Sequence, residues 1–337
     1  MNIACLIALV ATLAQAQAPS AGAAKNAAAK PAPQDALALQ VMLDRAGFSP
    51  GVIDGRMGSN TKKALDLFQK QGNTVTPATE PLTRYRIMPE DATGPFEPIP
   101  EDMIEKGKLP HLGYSSLLEA LAERFHSSPA FLQQVNPGVT IAAGTEIQVP
   151  NVEPMVVPVP RLPKEPKDKE GAAPAGTAGK GKPPAADGAT QASPPAAPPK
   201  PDVVVTVSKG ASALTVTDAG GRVVFYAPVT TGSKHDPLPI GEWKVNGVQM
   251  NPTFRYNPDL FWDADPAHTK ATIPAGPNNP VGLVWIDISK EHYGLHGTPE
   301  PATIGRTQSH GCVRLTNWDS LKLAAIVKPG TRVVFTE

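Results

Sequence analysis

Cysteine is scarce in this chain, and the scarcity narrows what its thiols can do. Among 337 residues there are two, Cys5 and Cys312, too few for a disulfide framework. Aromatic residues make up only 5% of the chain, and 31 Lys and Arg balance 31 Asp and Glu. A balanced chain without a basic patch gives no reason to expect a nucleic-acid partner, and no acidic tail appears. The apolar run at residues 3–10 is too short to span a bilayer, and no later candidate span follows. Proline, by contrast, is abundant. The 39 prolines far exceed the ordinary share of about 5%, and they cluster, which marks linkers.

The run at residues 3–10 is followed by Ala14-Gln15-Ala16-Gln17-Ala18. This pattern predicts a secretory signal over residues 1–18, cleaved after Ala16 or Ala18, although Met1-Asn2 carries no Lys or Arg. A periplasmic or otherwise extracytoplasmic protein is expected, with no stable membrane insertion after cleavage. Cleavage also removes Cys5 and leaves Cys312 without an intramolecular partner. A leftover thiol in an exported protein is a buried core residue, an intermolecular bridge or a reactive group.

Ser309-His310-Gly311-Cys312-Val313-Arg314 surrounds that thiol with polar and cationic neighbours. A thiol with a pKa of about 8.5 needs a base or a nearby cation to react at neutral pH. His296, in His296-Gly297-Thr298, and His310 are both candidates, and spacing does not choose between them. Gly311 lets a backbone approach a substrate closely while neighbouring amides serve an oxyanion. Arg314 offers a bidentate fork for an anionic group. If the segment is extended, His310, Cys312 and Arg314 share one face.

These residues resemble a family. His296-Gly297-Thr298, Ile304-Gly305, Ser309 through Leu315, Asn317 and Asp319 are similar, in order and spacing, to the signature of the L,D-transpeptidase (YkuD) catalytic domain. Pro239-Ile240-Gly241-Glu242-Trp243 and Ile273-Pro274-Ala275-Gly276-Pro277 resemble its upstream segments. The resemblance spans residues 203–335. It implies Cys312 as nucleophile and His296 as base, oriented by the Gly297 carbonyl, with His310 near the oxyanion. Catalytic roles are thus expected for Cys312, His296, His310, Gly297 and Gly311. Substrate contacts are expected from Arg314, Ser309, Thr298 and two aromatics of the long loop at 251–280, Trp262 and Tyr256. No cofactor and no metal are expected. A zinc site built from His292, His296, His310 and Cys312 would serve a wall amidase, but neither Cys-x-x-Cys nor His-Glu-x-x-His occurs.

The rest of the chain divides by composition. Residues 19–33 read as a disordered spacer. Residues 34–71 read as two helices around a glycine-rich loop, with Ser59 or Asn60 capping the second. The order Leu39-Gln40, Leu43, Gly47-Phe48, Gly51, Asp54-Gly55, Gly58, Thr61, Ala64 and Phe68-Gln69 resembles the peptidoglycan-binding type 1 domain. Asp54-Gly55 lacks the alternating acidic ligands of a calcium loop. Residues 85–151 give strand, helices at 117–125 and 129–135, Asn136-Pro137-Gly138 and a strand at 145–149. This order is similar to a LysM module with an insertion at 96–111. Residues 152–201 read as a Pro/Ala-rich linker able to reach roughly 150 Å when extended. Residues 202–337 read as the catalytic domain, a mainly-β sandwich with one or two helices.

The expected architecture is therefore multidomain, with peptidoglycan as partner. The resemblance implies acyl transfer from a tetrapeptide stem, releasing D-alanine, to an amine. That amine is another stem, for a 3-3 cross-link, a wall-anchored lipoprotein or a free D-amino acid. Transfer to water would make the protein a carboxypeptidase. A non-catalytic wall-binding scaffold is the alternative from a different class, and the intact Cys, His and Arg set argues against it.

Overall fold

The computed structural model describes residues 33–158 and 202–337. The expected signal, almost all of the spacer and most of the linker lie outside the described residues. Among the described residues, no helix is long and apolar enough to cross a membrane.

Two apolar strips run along helix α1 (Pro33–Arg45). Leu39 and Leu43 meet Phe48 and, from helix α2 (Ser59–Lys70), Ala64 and Phe68. Leu37 and Val41 face Ile53, Phe131 and Val152. The buried Gln40 holds the intervening loop. Its oxygen accepts from the amides of Asp54 (3.2 Å) and Gly55 (2.8 Å), and its nitrogen donates to Asp54 Oδ1 (3.0 Å). The expected side-chain cap of α2 is absent. Gly58 occupies the capping position, and Asn60 instead donates to the Ile304 carbonyl at 3.0 Å.

The next module pairs β1 (Leu82–Arg86) antiparallel with β2 (Glu146–Pro150). The first strand begins earlier than the sequence implied. Helices α3 (Met103–Lys108), α4 (Leu117–Arg124) and α5 (Pro129–Val135) lie between the two strands in sequence. Ser116 and Ser128 cap α4 and α5, accepting from the amides of Glu119 and Phe131. Asn136 pins the end of α5 to β2 by donating to the carbonyls of Leu132 and Gln148 and accepting from the Gln148 amide. Without α3 this is a β-α-α-β unit, closed over Leu121, Phe125, Leu132 and Ile147.

The C-terminal domain contains β3 (Val203–Ser208), β4 (Ala213–Asp218), β5 (Val223–Pro228), β6 (Gly241–Met250), β7 (Phe254–Tyr256), β8 (Ala271–Ile273), β9 (Val284–Ile288), β10 (Gly294–His296), β11 (Val313–Arg314), α6 (Asn317–Ile326) and β12 (Arg332–Thr336). Burial alternates residue by residue along β3, as expected of a strand with one face in a core. Eight strands form one sheet in the order β11-β10-β9-β6-β12-β3-β4-β5, while β7 and β8 form a separate hairpin. Strand β6 serves both halves of the sheet. Its first residues pair with β12, and after an irregularity between Val245 and Gly247 it runs beside β9. A strand that changes partners at a bulge bends its sheet. The expected mainly-β domain is thus a single curled sheet whose halves stand where two sandwich layers were anticipated. Thr316 caps α6, accepting from the Asp319 amide at 3.1 Å.

Both N-terminal modules dock on this domain. Strand β5 is the sheet's outer edge, and residues 47–49 cover it. The Ser49 amide donates to the Tyr226 carbonyl, and the Tyr226 amide donates to that of Gly47, each at 2.9 Å. Pairing an edge removes its unpaired backbone groups from solvent. Phe48 and Tyr226 stack beneath, 6.5 Å between ring centres. Helix α6 receives side chains from both modules. Asp44 of α1 binds Lys322 and His126, each at 3.0 Å, and His126 stacks on Trp318. Ser49 donates to Asp319 at 2.9 Å. The start of the expected linker is also packed: Val152 and Met155 are buried, and the Met155 amide donates to the Arg124 carbonyl. An anchor held at a distance by a tether does not describe this arrangement, because buried side chains join the modules directly.

Candidate active site

Strands β10 and β11 run parallel, with His296 beside Arg314 and Leu295 beside Val313. Cys312 immediately precedes β11. The residues before it are not extended, so the alternation argument fails for His310. Gly311 turns the chain at φ +100°, and a Cβ there would come within 2.6 Å of the Tyr293 ring. Only glycine satisfies both conditions. Ser309, buried, closes the turn by donating through Oγ to the Cys312 carbonyl at 2.6 Å. His310, Cys312 and Arg314 reach the same cleft nonetheless, through this turn.

The cleft encloses about 950 Å³, and Cys312, His296, His310, Arg314, Ser309 and Tyr256 all line it. His296 is buried, and its Nδ1 lies 2.7 Å from the Gly297 carbonyl. A carbonyl only accepts, so Nδ1 carries the proton and Nε2 is left with a lone pair. Its ring stacks on Trp285, 5.6 Å between centres. The Cys312 thiol faces the His292 carbonyl at 3.7 Å.

Burial dominates the electrostatics. It pushes the Cys312 thiol up from its ordinary value, against the pull of the Gly294 backbone and the Arg314 charge. Burial and then Arg314 push His296 down to about 3, against the hydrogen bond to Gly297. At neutral pH both groups are therefore uncharged. The sequence implied that cationic neighbours would stabilise a thiolate, but desolvation of the sulfur outweighs them. Tyr293 is likewise raised, first by burial and then by the Cys312 charge.

A flap formed by β7, β8 and their connection borders the cleft. His310 Nε2 meets Asp263 Oδ1 of this flap at 2.7 Å. The Tyr256 hydroxyl contacts His268 Nδ1 at 2.9 Å, and His268 Nε2 contacts Asp102 at 2.8 Å. Asp102 caps α3, and Met103, Ile104 and Leu109 pack with Tyr256, Ile273 and Phe261. The insertion at 96–111 thus braces the flap from another module.

Two expected substrate contacts do not line the cleft. Thr298 is buried, and its hydroxyl accepts from the Glu300 amide, because it shapes the turn after β10. Trp262 lies on the flap, 60% exposed, stacked on His235 with ring centres 4.5 Å apart. Gly297 contributes through its carbonyl and Gly311 through its turn. The sequence reading missed Tyr293, Trp285, Asp263 and His268. They come from separate segments without a motif, and only the weakly informative length of the 251–280 loop pointed toward two of them.

Comparison with known proteins finds matches to two segments of this chain. Residues 202–335 match the family described as L,D-transpeptidase catalytic domain. Residues 33–75 match the family described as "Putative peptidoglycan binding domain". The Bacillus subtilis protein named "Putative L,D-transpeptidase YqjB" is 31% identical over 40% of this chain and 72% of its own length. "Putative L,D-transpeptidase YkuD" of the same species is 35% identical over 38% of this chain and 63% of its own. Its Bacillus licheniformis counterpart is 52% identical over 34% and 54%. The chain thus spans somewhat more than half the length of these two YkuD relatives.

Proposed function

We propose, from the premise that this chain belongs to the L,D-transpeptidase family, an acyltransferase class, that Cys312 carries an acyl group from a peptidoglycan stem to an amine. In this reading Cys312 Sγ attacks the carbonyl carbon of the diaminopimelate L-centre while its proton passes to Nε2 of His296. The tetrahedral oxyanion is held by amides near Gly311, with His310 close by. Collapse breaks the bond to D-alanine, whose nitrogen takes the proton from His296, and leaves a thioester. The acceptor amine then attacks, a proton leaves it through His296, and the thiol is regenerated. Arg314 holds substrate charge in the cleft, and Tyr256 and Ser309 shape its walls.

The observation that carries the reading is the 2.7 Å contact from His296 Nδ1 to the Gly297 carbonyl. It leaves a neutral imidazole with an open Nε2 in the cleft that holds the only cysteine among the described residues. A neutral base beside a neutral thiol accepts the proton during attack, so no resting ion pair is required.

The domain at 33–75 supports peptidoglycan as the partner, and the β-α-α-β order of residues 82–150 supports a second, LysM-like wall module. A wall partner supports an extracytoplasmic location. The acceptor amine is a second stem or a lysine of a wall-anchored lipoprotein. Purified protein incubated with a disaccharide-tetrapeptide should gain an adduct on Cys312 equal to the donor minus D-alanine. A carbapenem should acylate the same sulfur. A reduced thiol that takes neither reagent would overturn the reading.

A further inference from the structure

Behind His296 the protein builds a second polar arrangement, in which Asn317, the first residue of α6, is fully buried. Its oxygen accepts from the Leu283 amide at 3.0 Å. Its nitrogen donates to Glu123 Oε1 at 2.9 Å and to the Pro277 carbonyl at 3.1 Å. The same oxygen lies against two glycines. A Cβ on Gly297 would sit 2.2 Å from it, and one on Gly282 would sit 2.0 Å from it. The Gly297 carbonyl that holds His296 Nδ1 therefore belongs to a residue pressed against the Asn317 amide.

An amide side chain can present its oxygen and nitrogen either way round. Here the acceptors decide. Glu123 and Pro277 both demand a donor, so the nitrogen turns to them and the oxygen to Leu283 and Gly297. The Pro277 carbonyl belongs to the sheet domain itself, whereas Glu123 sits on α4 of the β-α-α-β module, 194 residues away in sequence. It is 7% exposed. Burial pushes its carboxyl up to about 7, against the pull of the nearby Tyr114 hydroxyl and the Asn317 hydrogen bond and with a further push from Glu119. A carboxyl in such a place is costly unless its partners hold it.

We propose that Glu123 is a positioning residue for the acyl-transfer site: it fixes the Asn317 amide, which fixes Gly297, whose carbonyl holds the imidazole of His296 in its working tautomer. The chemistry of the sheet domain thereby depends on a side chain from a neighbouring module. This inference rests on the role assigned to His296 above.

The full-length protein with Glu123→Leu, Glu123→Gln and Glu123→Asp tests it by three measurements. These are the rate constant for acylation of Cys312 at saturating donor, the KM for that donor, and the ¹⁵N signature of the His296 ring, with thermal melting to show that each variant is folded. Glu123→Leu should slow acylation about tenfold or more, as small misplacements of catalytic groups do. Its KM should change less than about twofold, and the single Nδ1–H signature should be lost. Glu123→Gln still accepts from Asn317 and should stay within about threefold of the parent. A folded Glu123→Leu with the parent's rate constant and imidazole signature would show that Glu123 only docks two modules, and would overturn the proposal. If that variant does not fold, Glu123→Asp, one methylene too short to reach Asn317, decides by the same two readings. A parent protein that forms no adduct fails the acyl-transfer reading itself, and the imidazole signature still decides the role of Glu123.

Discussion

The two N-terminal modules meet the catalytic domain on different terms. The helical module covers the outer edge strand β5 and buries Phe48 against Tyr226. The β-α-α-β module reaches the surroundings of the cleft twice, through Glu123 to Asn317 and through Asp102 to His268. The helical module's edge contact is far along the sheet order from β10 and β11 and its contacts with α6 fall on Asp319 and Lys322, whereas Glu123 of the other module reaches Asn317, which adjoins the residues that hold His296. The two modules are therefore not interchangeable appendages. One secures the sheet, and the other helps set the geometry in which the thiol reacts.

That contrast can be broken at its centre first. Cys312→Ala should abolish turnover, and His296→Ala should slow acylation by about 10² to 10⁴, while both leave binding to wall sacculi unchanged. A turnover assay paired with a sedimentation assay separates the two, and residual Cys312→Ala activity within about tenfold of the parent would remove the nucleophile assignment. Next in size are effects on stability without chemistry. Phe48→Ala should destabilise the protein by about 3–5 kcal/mol, yet the folded fraction should acylate at the parent rate. Denaturant melts and adduct formation on the same sample check this. A large change in rate would erase the distinction drawn between the modules.

The pH behaviour sharpens the comparison further. Folding raises Glu123 from 4.5 to about 7, so the native protein holds a proton that the unfolded chain has released. Stability should fall as pH rises from 4.5 to 7 and then level off. Glu123→Gln lacks this slope and should gain on the parent above pH 7 by on the order of 3 kcal/mol, measured by melts across pH. Asp44 runs the other way. Its carboxyl is lowered from 3.8 to about 2 in spite of burial, by His126 and Lys322, so its contribution is complete above 3.8 and lost as pH falls toward 2. Smallest is the flap contact. Asp102→Ala should raise KM by about twofold with little change in the rate constant, because the contact is partly exposed and braces β8 from outside the cleft.

The thiol chemistry has its own pH test. Because burial raises Cys312 and lowers His296, alkylation by a neutral reagent should keep accelerating above the ordinary thiol range. It should show no limb from His296 between pH 5 and 8. A plateau reached below pH 7 would show a resting thiolate instead.

Much of the site was legible in the sequence because its members are close together along the chain. Ser309 to Arg314 and His296 to Thr298 are short segments whose residue types announce their chemistry, and the helical module's glycine loop is equally local. What stayed hidden depends on distant pairing. Asp263 meets His310 across 47 positions, and Glu123 meets Asn317 across 194. A lone Glu in an amphipathic helix reads as a solvated charge. Asn60 misled for a similar reason: its place at the start of α2 favours a cap, but a docking partner in another domain engaged its amide. Composition describes the linker and says nothing of Phe48, His126 and Asp44, which fasten the modules regardless of what joins them.

Helix α6 has a bearing on the order in which this chain can be completed. Asp44 and His126 are buried beside Lys322 and Trp318, and Glu123 beside Asn317. Lys322 follows Asp44 by 278 residues, and Asn317 follows Glu123 by 194. During synthesis the two N-terminal modules emerge long before the helix that covers their inward-facing polar groups. They must wait, with those groups hydrated, until residues 317–326 arrive. Segments that read as beads on a string should then close together and melt in a single cooperative transition, with α6 as the common point of failure.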